Sequence, residues 1–151
     1  MLLLRHASAG EPTSSPWLDR ERPLDGMGRV QARSLRQALA GFPIERIITS
    51  PHARCVETVR PLASLLGLVL ESHDALTPDS SRSSALALLE ELPPESLLCT
   101  HREVIERLFD GEVQCEKGGA WVLERVAERW RPAVYRPAPA VDQLRGRAAL
   151  V

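Results

Sequence analysis

The sequence predicts an α/β protein: a three-layer sandwich whose central sheet is mostly parallel and carries helices on both faces. Three observations lead there. Short runs such as LLL, RIIT and SLLCT are apolar throughout rather than alternating, as strands buried on both faces are. Segments with apolar residues at steps of three and four separate them. The two kinds alternate along the chain, which is the pattern of a parallel sheet with crossover helices.

The elements follow in order. Met1 to Leu4 reads as a buried strand, and Ala7 to Pro23 as a loop rich in Ser, Pro, Gly and charge. Asp25 is placed to N-cap a helix from about Gly28 to Ala40, in which Ala32, Leu35, Leu39 and Phe42 share a face and Gly41 ends the run. Arg46 to Thr49 is a second strand. Ser50-Pro51 reads as an N-cap followed by proline at the first helical position. The helix behind it aligns Val56, Val59, Leu62, Ala63 and Leu66 and ends at Gly67, and Pro61 is expected to kink or divide it.

Leu68 to Glu71 is a third strand, and Ala75 to Ser84 a polar loop before a helix carrying Ala85, Leu88, Leu89 and Leu92. Ser96 to Thr100 is a fourth strand, with a short helix from Glu103 to Phe109 after it. Ala120 to Val126 and Trp130 to Arg136 read as late strands, the second interrupted by Pro132. The last fifteen residues show no pattern and read as a tail or strap.

A chain of 151 residues is the size of one domain, residues 1–151, with no internal repeat. Nineteen basic residues against twenty acidic ones leave a net charge of −1, which argues against a general binder of nucleic-acid polymers or membrane surfaces. Lys117 is the only lysine; the other basic residues are arginine, which suits forked recognition of phosphate but is also what a GC-rich genome produces. Three cysteines, Cys55, Cys99 and Cys115, form neither an even set nor a CxxC pair, so a reducing cytoplasm is expected. No apolar run reaches membrane length, and MLLLRHAS lacks the basic region of a signal peptide.

In open α/β sheets ligands bind beyond the C-terminal strand ends. There the first strand delivers Arg5 and His6, the second Ser50 and, one turn on, Arg54, and the fourth Thr100, His101 and Arg102. Two histidines and at least two arginines converging at helix N-termini make a site for an anion, with a neutral imidazole able to attack phosphorus. Arg54 near a helix N-terminus is misplaced for a cation unless an anion lies beside it. A two-histidine metal site is the sharper rival; the arginines would repel a cation and no carboxylate is expected to be fixed nearby.

LLLRHASAG, RPLDGMGRVQA, ITSPHARCVETV and LLCTHREV, in this order, resemble the histidine phosphatase (phosphoglycerate mutase-like) superfamily across roughly residues 1–109, with a weaker echo at KGGAWVLERV. The resemblance implies a phosphatase without a cofactor or metal. It makes His6 the nucleophile that becomes phosphohistidine, Arg5 and Arg54 the grip on the phosphoryl group, and His101 a further donor to it. Ala7 stands where many members carry glycine. Many members also place a glutamate after the third strand to protonate the leaving alkoxide; here ALTPDSS offers only Asp79.

That departure resembles the small SixA-like phosphohistidine phosphatases, whose substrate has a nitrogen leaving group. RHASAG, CTHREV and KGGAWVLE are similar instead to the phosphatase half of actinobacterial MutT1-type proteins, in which a Nudix domain precedes it, and favour a nucleotide or other small phosphorylated substrate. The expected partner is thus a small phosphorylated molecule or a phosphoprotein. A phosphate-binding or regulatory module without turnover is the reading from another class, and a mutase is disfavoured by the short chain.

Arg22 and Arg102 are secondary candidates for substrate contact. His52 is expected at the surface, His73 in a loop, Cys55 in helix packing and Lys117 in a turn.

Overall fold

The computed structural model describes residues 1–140. Its strands are β1 (Leu2–Arg5), β2 (Arg46–Thr49), β3 (Leu70–Ser72), β4 (Ser96–Thr100), β5 (Ala120–Val126) and β6 (Arg129–Arg136). Its helices are α1 (Pro16–Arg20), α2 (Gly26–Ala38), α3 (Ala53–Leu66), α4 (Arg82–Glu91) and α5 (Arg102–Leu108), with a 3-10 turn at Asp74–Leu76. The strands form one sheet in the order β3-β2-β4-β1-β5-β6. The first four are mutually parallel, and β5 and β6 continue antiparallel from β1.

The all-apolar strands are explained by two cores. On one face Leu3, Ile48 and Leu98 pack with Leu88, Leu89, Val104 and Ile105 of α4 and α5. On the other, Leu2, Leu4, Ile47, Leu97 and Cys99 pack with Leu35 of α2 and Val59 and Leu62 of α3. Leu2, Leu3 and Leu4 thus alternate between two buried faces, as a strand inside a three-layer sandwich requires.

Most expected elements are found within two residues, and five expectations need correction. Residues 7–23 are not all loop: Ser15 caps α1, its hydroxyl accepting from the Leu18 N–H, with Pro16 at the first helical position. At Ser50-Pro51 the same pair starts no helix, because α3 begins at Ala53 with His52 as N-cap and no side-chain cap bond. Pro61 does not divide α3, which runs unbroken to Gly67 in the left-handed conformation. Pro132 does not interrupt β6; the edge strand absorbs it through a register shift opposite Val122 and Leu123. In the expected polar loop 75–84, residues 74–76 make the 3-10 turn and α4 begins at Arg82. Of the expected tail, Ala138 N–H donates to Glu116 Oε1 at 2.9 Å, and residues 141–151 lie outside the described residues. No helix among the described residues is long and apolar enough to cross a membrane.

Candidate functional site

The parallel order β2-β4-β1 brings three strand ends side by side. Arg5 closes β1 opposite Thr100, and the His6 N–H donates to the Thr100 carbonyl at 3.0 Å. The chain then leaves the sheet over α3, where the Ala7 N–H donates to Thr58 Oγ1 at 3.0 Å. Thr58 in turn donates to the Arg54 carbonyl at 2.6 Å, so one hydroxyl ties the histidine-bearing loop to the arginine-bearing helix turn.

The loop is also bolted to α2. Ser8 N–H donates to Gln31 Oε1, and Ser8 Oγ and Gly10 N–H donate to Asp25 Oδ2. The other oxygen of Asp25 caps α2 by accepting from Gly28 N–H at 2.8 Å, as its N-cap position predicts. A β-carbon on Gly28 would overlap the Ser8 carbonyl, so only glycine lets α2 approach this closely.

His6 is 6% exposed. Its Nδ1 lies 2.8 Å from the Ala7 carbonyl oxygen, and because a carbonyl only accepts, Nδ1 carries the hydrogen. The lone pair of the neutral ring is therefore on Nε2. Burial, followed by the charges of Arg54, Arg5 and Arg22, pushes its pKa down to about 3, so the ring is unprotonated at neutral pH.

His101 is fully buried, with its ring centroid 5.4 Å from that of His6. Burial and then Arg54 drive its pKa far below the ordinary imidazole value. Its Nε2 lies 2.8 Å from Ser50 Oγ, which also accepts the His52 N–H at 3.3 Å. The His101 Nδ1 is a buried atom with no partner among the described residues; a Ser50 hydroxyl that donates to Nε2 places the ring hydrogen on it.

Arg54 is 4% exposed and donates to the Asp19 carbonyl at 2.8 Å and to Asp19 Oδ2 at 3.3 Å. The anion that its misplaced charge called for is, in this structure, the Asp19 carboxylate. Arg22 holds the other oxygen of Asp19 at 3.1 Å and the Ala9 carbonyl at 2.6 Å. Arg5 donates to the Cys115 carbonyl at 2.9 Å, and the Nε atoms of Arg5 and Arg54 are buried without partners among the described residues.

The four main candidates, Arg5, His6, Arg54 and His101, therefore gather at one place, and Arg22 joins them electrostatically. Arg102 stays at the rim: its side chain is half exposed, lies 3.8 and 3.7 Å from Glu103 and Glu106, and reaches the cluster only as a charge felt by Arg5. Asp79 is exposed on the edge of an adjoining groove. That groove, of about 800 Å³, is lined by Trp17, Asp19, Arg20, His52, Asp74 and Asp79 among others.

Two residues of the site escaped the sequence. Asp19 pairs with an arginine thirty-five positions away, across a contact that only the folded chain makes. His52 is not at the surface as expected but half-buried, its ring centroid 4.9 Å from that of His101. Its Nδ1 lies 3.3 Å from Arg54 Nη1, and because guanidinium only donates, Nδ1 accepts and Nε2 keeps the hydrogen. The offset of His52 from Arg54 within one helical start was the available signal. Lys117 does lie in a turn, and Cys55 packs in the core with its Sγ 3.5 Å from His101 Nε2.

No group of three or more His, Cys, Asp or Glu side chains among the described residues could hold a metal ion. A carboxylate is in fact fixed at the site, contrary to the expectation of none, but Asp19 is engaged by two arginines, Arg22 and Arg54.

Residues 1–143 match the histidine phosphatase superfamily (branch 1). The chain belongs to that superfamily. The 8-oxo-(d)GTP phosphatase of Mycolicibacterium smegmatis is 30% identical over 139 residues, which cover 82% of this chain and 43% of that protein. The chain thus spans less than half the length of this relative. Two solved structures share the fold. The protein histidine phosphatase SixA complexed with tungstate superposes with a TM-score of 0.75 at 22% identity, over 90% of this chain and 95% of that one. The mycobacterial glucosyl-3-phosphoglycerate phosphatase complexed with VO3 gives 0.75 at 17%, over 91% and 98%. At such identities the likeness is one of fold, and it matches the mostly parallel six-stranded sheet of this superfamily member.

Proposed function

We propose that the protein hydrolyses a phosphomonoester of a small metabolite or nucleotide in two steps through a phosphohistidine on His6. The observation that carries this is the state of that ring: its Nδ1–H is fixed on a carbonyl, its Nε2 lone pair is free, and it stays neutral among arginines. In the first step Nε2 attacks phosphorus in line, the N–P bond forms and the P–O bond to the leaving group breaks. Arg5, Arg54 and His101 hold the equatorial oxygens as charge shifts in the transition state. The departing alkoxide takes a proton, for which Asp79 on the groove is the candidate donor. In the second step water attacks phosphorus and gives a proton to the carboxylate that donated in the first, the N–P bond breaks with its electron pair returning to Nε2, and phosphate leaves. Arg22 and Arg102 assist as charges near the incoming phosphate.

Arg54 reaches the phosphoryl group by exchanging the Asp19 carboxylate for it, one anion for another. The superfamily's fold is compatible with tetrahedral oxyanions, since the SixA neighbour was captured with tungstate. Three buried unpaired cysteines favour a cytoplasmic setting, and we read residues 1–151 as one domain.

A second reading, dephosphorylation of phosphohistidine in a protein, draws on one observation: Asp79 is exposed at the groove edge rather than held against His6. An imidazole leaving group needs less proton transfer than an alkoxide does. The test is phosphate release by wild type and His6→Ala across p-nitrophenyl phosphate, nucleotides, sugar phosphates and a phosphohistidine protein, with acid quench to trap labelled enzyme. Release from small esters, with acid-labile, base-stable label that His6→Ala lacks, is expected. Release from phosphohistidine alone supports the second reading, and tight phosphate binding with no label from any donor leaves a binding module.

A further inference from the structure

The groove beside the histidines has a wall that phosphoryl transfer does not use. Helix α1 buries none of its residues, yet it is capped by Ser15 and tied through Asp19 to both Arg54 and Arg22. On it Trp17 lines the groove with 68% of its surface exposed. Trp121 stacks on Tyr135 and Trp130 sits in the core, so Trp17 is the one indole that the fold leaves open. A flat apolar ring at the edge of a groove that adjoins the proposed phosphoryl site through Asp19 and His52 is a platform for another ring.

The charges of the groove narrow the choice. Asp19 is balanced by its two arginines. Asp74 and Asp79 form no ion pair among the described residues, and Arg20 is the cation lining the groove with them. The lining is thus mildly negative, and a second phosphate of a longer substrate entering this groove would meet like charge. His52 offers a neutral Nε2–H, a donor suited to a sugar or base oxygen. At about 800 Å³ the groove falls within the ~300–1,000 Å³ of small-molecule sites.

We infer that this groove is the leaving-group subsite, that its occupant is the nucleoside of a nucleoside 5′-monophosphate, and that Trp17 stacks on the base. The inference rests on the phosphatase reading for the identity of the phosphoryl site, but its test does not depend on turnover. Binding is measured by calorimetry to the His6→Ala protein, with AMP, ADP and ribose 5-phosphate as probes. AMP is expected to bind about tenfold more tightly than ribose 5-phosphate, the scale of one base-stacking contact. Trp17→Ala should erase that advantage and leave ribose 5-phosphate unchanged; with Trp17 exposed and outside the core, the variant should melt at the wild-type temperature.

ADP should bind more weakly than AMP, with the gap narrowed by Asp74→Asn. Equal binding of AMP and ribose 5-phosphate, an AMP advantage that survives Trp17→Ala, or ADP binding more tightly than AMP would each overturn the inference. So would a phosphohistidine peptide that outcompetes AMP. Failure of the phosphatase reading looks different: wild type releases no phosphate from any donor while the AMP preference stands.

Discussion

The ends of β1 and β4 carry the same chemistry in opposite settings. Each closes on a histidine beside an arginine, Arg5-His6 and His101-Arg102, and the two rings lie 5.4 Å apart. After β1 the chain enters a long loop anchored by Thr58, Gln31 and Asp25, and His6 bonds a backbone carbonyl through Nδ1. After β4 the chain enters α5 at once, and His101 bonds the Ser50 hydroxyl through Nε2. The first arrangement frees a lone pair on Nε2; the second leaves a hydrogen on Nδ1. In the proposed reaction the two identical side chains serve as nucleophile and donor, and the difference is made by which nitrogen the neighbouring groups occupy.

The largest effect should separate the two directly. His6→Ala is expected to abolish turnover and trapped label together, because no other nucleophile replaces it. His101→Ala should slow turnover by about a hundredfold or more, the loss of one transition-state donor, yet still accumulate label on His6. Quenched-flow labelling of both variants is the measurement; label absent from both would erase the distinction. Arg54→Ala comes next, with an expected loss of about 3 kcal/mol in kcat/KM, the scale of removing one fixed donor from the phosphoryl oxygens. An unchanged kcat/KM would mean that Arg54 serves only to hold Asp19.

Ser50→Ala touches only the β4 side. Without the hydroxyl, nothing biases the His101 hydrogen toward Nδ1, and kcat should fall about tenfold, near the worth of one hydrogen bond, with KM little changed. A drop in KM alone would instead make Ser50 a substrate contact.

This contrast was half legible in the sequence. The strand ends were, because all-apolar runs can only be buried on two faces, and each run stops at a polar residue. Asp25 was legible because its cap is local, three residues from Gly28. The two Ser-Pro pairs show where local reading stops. Ser15-Pro16 starts a helix that the loop-rich composition hid, whereas after Ser50-Pro51 the helix begins only at Ala53, and the Ser50 hydroxyl is shared between the His52 N–H and His101, fifty-one positions away. Asp19 and His52 were missed for the same reason: each gains its role from Arg54 and its neighbours only once the chain has folded.

A pH series sharpens the comparison through stability. His6 has an ordinary value of 6.5 and is held at about 3 in the fold, and His101 is shifted the same way. Below pH 6.5 the unfolded chain therefore binds protons that the folded chain refuses. Stability from these rings is fully present above 6.5 and is lost as pH falls toward about 3. Denaturant melts at pH 7, 6 and 5 should show a steady decline that His6→Gln makes shallower. A decline of equal slope in both proteins would assign it to the other imidazoles lowered from 6.5, His101 and His52; the carboxylates of Asp19 and Asp25, lowered from 3.8, act only below this range.

The smallest expected effect concerns the anion already present at the proposed phosphoryl grip. Asp19 holds Arg54 and Arg22 before any substrate arrives, and a phosphoryl group must compete with it for both. Asp19→Asn keeps the shape and the backbone carbonyl that Arg54 also uses, but it removes the charge. Inorganic phosphate should then bind a few-fold more tightly, since the competing ion pair is partly exposed and worth about 1 kcal/mol or less. The same variant should melt slightly lower, because α1 loses its charged tether while burying nothing of its own. Weaker phosphate binding in Asp19→Asn would reverse the assignment: Asp19 would then be the residue that aims Arg54 at the substrate rather than the anion the substrate displaces.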